Sequence, residues 1–224
     1  MSAIATKQRI LDVAEVQFAQ HGYAGASLRG IIGMANVNLA AVHYHFRSKE
    51  ALLEAVLLRR AGPLNEERLR LLDGLEAEAG DAGAPLEGII EAFIGPPIKL
   101  VFTTRGGGNI FGKLVGRLYA ESGERFFEMI KKHFATIALR FSVALRKACP
   151  ELSEEELRWR FHCMAGVMAH TLLHGDHMDV FSDAKAKEQD VTVVMDRLVR
   201  FLAAGFRAPA GNSRSTAQKG MRKS

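Results

Sequence analysis

The chain has 224 residues, 48% hydrophobic and 25% charged, which are ordinary globular values and leave room for a small module beside a larger core-bearing domain. Its two cysteines, Cys149 and Cys163, exclude a disulfide framework and a cysteine-rich zinc module, and no long apolar run or leader-like start argues for a membrane or for secretion, so a reducing cytoplasm is expected. The formal net charge of +5 resides wholly in residues 207–224, where Arg207, Arg214, Lys219, Arg222 and Lys223 meet no acid, so the high isoelectric point belongs to the tail.

Residues 6–20 place Ile10, Val13, Ala14 and Phe18 at spacings of three and four, with Thr6 as a candidate N-cap and Gly22 just past the end, which predicts a supporting helix. Residues 27–49, SLRGIIGMANVNLAAVHYHFRSK, then predict two short helices joined by a tight turn. Ser27 and Asn38 are strong N-cap types, and Asn36 tolerates the positive φ that such a turn needs. The second helix, 39–46, opens with Leu39 and then Ala40 and Ala41, the two alanines small enough for backbone to approach a groove, and continues with His43, Tyr44 and His45, whose rings reach phosphates and base edges.

These residues resemble the helix-turn-helix of the TetR family of transcriptional regulators, with NLAAVHYHF as recognition helix and RSKEALL opening the next helix; the likeness runs over residues 6–53. Asn36 stands where the family usually has Gly, and Ile32 where it usually has Ala. The resemblance implies a homodimer gripping double-stranded operator DNA through Ser27, Arg29, Asn38, Leu39, Ala40, Ala41, His43, Tyr44, His45 and Lys49, with Tyr44 and Lys49 mainly on phosphates.

Ser48 restarts the chain as an N-cap, and Leu52, Leu53, Val56 and Leu57 form a stripe that should end at Gly62-Pro63, where a further helix carrying Leu64, Leu69, Leu72 and Leu75 begins. After a loop at 80–85, Leu86, Ile89, Ile90, Phe93 and Ile94 predict a helix that Pro96-Pro97 must kink or stop, and residues 98–104 are the local stretch that passes for a strand. A short helix should reach Tyr119, Ser122 should cap a long one ending before Pro150, Ser153 with Glu156 forms a capping box ahead of a helix to about His174, and a last helix spans about 190–206. The expected fold is all-α: a three-helix helix-turn-helix module in 1–50, a larger helical ligand-binding and dimerisation domain in 51–206, and a basic, disordered tail in 207–224.

Three constellations compete as sites of chemistry. The run GGNIFGK, with Gly107, Gly112 and Lys113, matches a phosphate-binding loop, but Leu114 follows where magnesium chemistry needs a hydroxyl, so a nucleotide-binding protein is the weaker alternative. His162, Cys163, His170, His174, Asp176 and His177 could make a metal- or pH-responsive regulator; because Cys163 is read as lying on another face, a plain helical interface is favoured and no metal is expected. Phe93, Phe102, Phe111, Phe127, Phe134, Phe141 and Met164 could line an apolar pocket for a small hydrophobic effector, with Arg105, Arg117 or Arg160 meeting its headgroup. The motifs NLAAVHYHF, RSKEALL and ELRWRFHCMAGV are similar to the branch of TetR-like repressors that respond to long-chain fatty acids or their coenzyme A esters, which implies that effector class. No catalytic arrangement and no cofactor motif stands out, so an enzyme is not expected.

Overall fold

The structure is a computed structural model that describes residues 3–103, 107–120, 124–174 and 190–210, and every regular element among them is helical. Helix α1 (Ala3–Gly25) starts before the expected cap at Thr6 and is interrupted at Gly22, whose φ of 69° suits glycine. Helices α2 (Leu28–Ala35) and α3 (Leu39–Phe46) have eight residues each, too few to persist alone. They stand because Ile31, Ala35, Val42 and Phe46 pack against Ile10, Ala14 and Phe18 of α1 and Leu52, Leu53 and Val56 at the start of α4 (Lys49–Ala79). Phe18 and Ile10 have no exposed surface, and each such side chain contributes about 1.5–3 kcal/mol. Glu15, also buried, accepts from Arg59 and Arg60, so a charged clamp ties α1 to α4 beside the apolar core.

The two proline boundaries did not break the helices. Helix α4 runs through Pro63, which is exposed, so the carbonyl of Arg59, four residues earlier, loses its intrahelical donor on a face open to solvent. Buried Leu57 and Ala61 before the proline and Arg68 and Leu72 after it keep one face continuous. Helix α5 (Leu86–Thr103) likewise continues through Pro96 and Pro97, and the stretch expected to pass for a strand is helical as far as Thr103. Each interior proline costs about 3 kcal/mol, but Ile89, Ile90, Ile94 and Ile98 are completely buried and at about 1.5–3 kcal/mol apiece outweigh that loss.

After a short 3₁₀ turn, Gly80–Ala82, α5 forms the centre of the second core. Around it lie α7 (Glu124–Ala148), α8 (Glu154–His174) and α9 (Val191–Arg207), which bury Phe141, Leu145, Met164, Leu172, Met195, Leu202 and Phe206. Helix α6 (Gly107–Ala120) sits between the two cores, and its Leu114 and Leu118 are buried with the N-terminal helices. Arg117 of α6 donates to the carbonyl of Gln20 in α1 at 2.9 Å. Ser153 caps α8 through Glu156 N–H at 3.2 Å, and Asp190 caps α9 through Thr192 N–H at 2.9 Å; Ser122 lies outside the described residues.

Candidate nucleic-acid interface and apolar cavity

The turn between α2 and α3 is built by local hydrogen bonds. Ser27 Oγ accepts from Gly30 N–H at 3.0 Å and Asn38 Oδ1 from Ala41 N–H at 2.8 Å. Asn36 adopts the left-handed conformation, φ 48°, ψ 54°, and its N–H donates back to the Gly33 carbonyl. With Val42 and Phe46 anchored inside, α3 turns Leu39, Ala40, His43 and Tyr44 outward; Tyr44 is 80% exposed and Leu39 53%. His45 is half-buried with its ring edge-on to Tyr44, and His43 Nδ1 lies 3.2 Å from the Arg47 carbonyl. Arg29 is exposed on α2, and Lys49, in the first turn of α4 next to the Ser48 cap, holds its ammonium 4.4 Å above the Tyr23 ring. The caps Ser27, Asn38 and Ser48, the outward side chains of α3, and Arg29 and Lys49 thus all belong to the α2–α3 turn and the segments that flank it.

A cavity of about 220 Å³ lies where α4, α5, α6, α7 and α8 converge. Its walls include Leu57, Leu64 and Arg68 of α4, Phe93 and Pro97 of α5, Phe111, Val115 and Leu118 of α6, Phe134 and Ile137 of α7, and Phe161 and Met168 of α8. Of the residues expected there, Phe93, Phe111 and Phe134 line it. Phe141 stands one layer behind, edge-on to Phe93 with ring centroids 5.1 Å apart. Met164 is buried in the core, and Phe102 packs at the core's edge, both away from the cavity. Arg117 is exposed and bonded to α1, while Arg160 pairs with Glu156 and closes the end of α9 through the carbonyls of Gly205, Phe206 and Ala208. Arg105 and the side chain of Phe127 lie outside the described residues.

Arg68 was missed in the sequence. It is 4% exposed, and Leu57, Ala61, Leu64, Arg68 and Leu72 recur at spacings of three and four, so a cation interrupting an apolar stripe was the available signal.

The other two constellations resolve differently. Gly112 and Lys113 belong to the interior of α6 and not to a loop; a Cβ on Gly112 would lie 2.3 Å from the Leu172 carbonyl oxygen, so this glycine serves close helix packing. Cys163 and His170, two helical turns apart, are both exposed on one face of α8, contrary to the separation inferred from spacing. Among the described residues no group of three metal-ligating side chains comes together; the side chain of His174, and Asp176 and His177 entirely, lie outside them.

Between α7 and α4, Lys132 donates to Glu54 at 2.9 Å and His133 meets the same carboxylate; these two hydrogen bonds hold Glu54 below the usual carboxylate range. Arg207, at the end of α9, pairs with Glu87 and depresses that carboxyl in the same way.

A family model for bacterial regulatory proteins of the tetR family matches residues 10–56, and one for a tetracyclin repressor-like C-terminal domain matches residues 91–205. The chain belongs to the TetR family. A probable acrEF/envCD operon repressor of Escherichia coli is 34% identical over 74 residues, which take in 33% of this chain and 34% of that repressor, so the likeness spans about a third of the relative's length. Among solved structures, Salmonella enterica GusR superposes with a TM-score of 0.59 at 19% identity, covering 93% of this chain and 98% of GusR. The fatty acid degradation regulator FadR of Bacillus halodurans gives 0.56 at 16% identity over 88% of this chain and 93% of FadR. Both share the family fold. Among the described residues no helix is long and apolar enough to cross a membrane.

Proposed function

We propose that the chain is a ligand-responsive transcriptional repressor that binds operator DNA as a homodimer and is released by a hydrophobic effector in the cavity. The observation that carries this reading is that Leu57 and Leu118 line the cavity and also belong to the core on which α2 and α3 rest. A guest that displaces either side chain alters the support of the recognition helix. The α6–α1 bond from Arg117 and the α7–α4 pairs at Glu54 add rigid links along the same route. Coupling of this kind is commonly worth about 1–3 kcal/mol, enough to change DNA affinity several-fold to a hundredfold.

In this reading residues 1–50 read DNA, 51–206 hold ligand and partner, and 207–224 supply a basic tail, although Arg207 itself closes α9 and pairs with the body. Ser27 and Arg29 at the start of α2 and Ser48 and Lys49 at the start of α4 offer amide and cationic donors to phosphates. Leu39, Ala40, Ala41, His43, Tyr44 and His45 face the groove or its walls, with Asn38 fixing where α3 begins. The homodimer is supported by α8, which exposes Trp159, His162, Cys163, Gly166 and His170 along one stripe without acid, lysine or arginine, and by exposed Val193 and Phe201 on α9. Gly166, at the middle of that stripe, suits close approach of the same helix from a second copy.

The effector class supported by the resemblance is a long-chain fatty acid or its coenzyme A ester, and the phenylalanine lining suits an acyl chain. An apolar cavity of about 150 Å³ accepts benzene. By that scale 220 Å³ holds about nine non-hydrogen atoms, so a longer chain enters by spreading the surrounding helices. Spreading is the movement that would shift Leu57 and Leu118.

Selection of bound sequences from randomised duplexes by the full chain tests the DNA-binding half. An enriched two-fold site with half-sites about one helical turn, or a multiple of it, apart is expected. Recovery of unenriched sequence at every salt concentration would refute it.

A further inference from the structure

We propose that α3 reads its operator chiefly through thymine methyl groups laid against Leu39 and Ala40, with His43 accepting a hydrogen bond from a base amino group one helical turn further on; this rests on the DNA-binding reading above. Leu39 and Ala40 are the first two residues after the Asn38 cap, and the N-terminal residues of a recognition helix are the ones that reach base edges in the major groove. Both are exposed, and Leu39 packs into neither apolar core, so folding leaves its isobutyl group facing outward. The apolar group that a base edge presents in the major groove is the thymine C5-methyl, and that is what such a side chain can bury.

The rest of α3 offers few polar alternatives. Its eight residues, LAAVHYHF, contain no arginine, lysine, asparagine, glutamine or acid, the types that read guanine, adenine and cytosine edges. Arg29, Arg47 and Lys49 belong to the segments on either side. With Tyr44 assigned to phosphate and His45 half-buried, His43 is left, four residues after Leu39 on the same face. A carbonyl only accepts, so the 3.2 Å contact between His43 Nδ1 and the Arg47 carbonyl makes Nδ1 the donor, and the neutral ring presents Nε2 as an acceptor. In the major groove adenine N6 and cytosine N4 carry donors to it, whereas the guanine edge offers acceptors at N7 and O6. Leu39 and His43 stand about 6 Å apart along the helix, close to two base-pair rises of about 3.4 Å, so the methyl and the amino group should lie about two pairs apart in each half-site.

The test follows binding of the full chain, by fluorescence anisotropy, to the selected operator and to the same duplex with every thymine replaced by deoxyuridine, which keeps every base-pairing group and lacks the methyl. Loss of one buried methyl should weaken binding about fourfold, and loss of one in each of two half-sites about fifteenfold. Random duplexes should be bound equally in either form. Leu39→Ala, a change at an exposed position outside both cores, should lose the greater part of this discrimination. His43→Phe should retain it and select a site relaxed about two pairs from the thymine; an unchanged consensus would remove His43 from the base contacts. Equal wild-type affinity for the thymine and deoxyuridine operators would overturn the methyl readout while leaving operator binding intact. Undiminished discrimination by Leu39→Ala would assign the effect to duplex shape and overturn it as well. Selection that enriches no sequence would overturn the DNA-binding reading and this inference with it.

Discussion

Replacing Gly112 by alanine tests the assignment of the GGNIFGK run to helix packing. The added Cβ would meet the Leu172 carbonyl oxygen at 2.3 Å and its carbon at 3.2 Å, whereas ordinary contact begins at 3.4 Å, so α6 must retreat from α8 by about 1 Å. The obstacle is backbone and cannot rotate away, which puts the overpacking cost near the upper end of about 1–3 kcal/mol. Alanine returns about 1 kcal/mol through its better helix propensity. Net destabilisation of about 2 kcal/mol is expected, or about 4–8 °C in the melting temperature of a chain this long. At Gly116 the obstacle is the Leu173 side chain, which can rotate, so Gly116→Ala should cost less. Gly74, inside α4 with nothing within 4 Å of an added Cβ, should gain about 0.5–1 kcal/mol on the same substitution. Urea unfolding of the three variants at one protein concentration supplies the comparison. A Gly112→Ala protein as stable as Gly74→Ala would refute the packing assignment.

Other expectations concern charge. Lys49→Ala should weaken binding to operator and random DNA about equally and reduce the salt slope by about one unit; an unchanged slope in a filter-binding titration would remove Lys49 from the phosphate contacts. Glu54 has a depressed carboxyl in the folded chain, so its stabilising pairs with Lys132 and His133 are fully present above the unfolded carboxylate value, about pH 4.3, and are lost as pH falls through the lower folded value. Glu54→Gln should therefore be less stable at neutral pH and lose less on acidification, as read by denaturant midpoints across pH. Removing residues 211–224, which carry Arg214, Lys219, Arg222 and Lys223, should lower nonspecific affinity at low salt and leave base preference intact. A changed consensus in duplex selection would contradict that.

What the sequence made legible was what neighbouring residues decide among themselves. Ser27, Asn38, Ser48 and Ser153 cap the helices assigned to them, and Asn36 takes the left-handed turn, because a cap is a contract between residues three apart. Pro63, Pro96 and Pro97 misled because their local cost is real but smaller than the burial on either side of them, and burial is a long-range quantity. Arg68 was hidden for a related reason: its place depends on a carbonyl freed by Pro97, 29 residues away, and a helical cation ordinarily reads as solvated. Arg160 shows the converse, a cation near an apolar region whose partners are the terminal carbonyls of α9. Phe93, Phe111 and Phe134 were found by composition, but the same signal could not separate them from Phe141, which packs behind the cavity.

The central proposal is that one molecule couples an apolar guest to DNA grip, and fluorescence anisotropy of a labelled selected operator tests it most directly. The full chain would be titrated onto the duplex in the presence of saturated acids from octanoate upward, each below its micelle concentration. Each added methylene buried is worth about 0.8 kcal/mol, so operator affinity should fall at lower acid concentration as the chain lengthens, until the helices can spread no further. Acids that bind the protein by calorimetry yet leave operator affinity unchanged at saturation would contradict the coupling through Leu57 and Leu118.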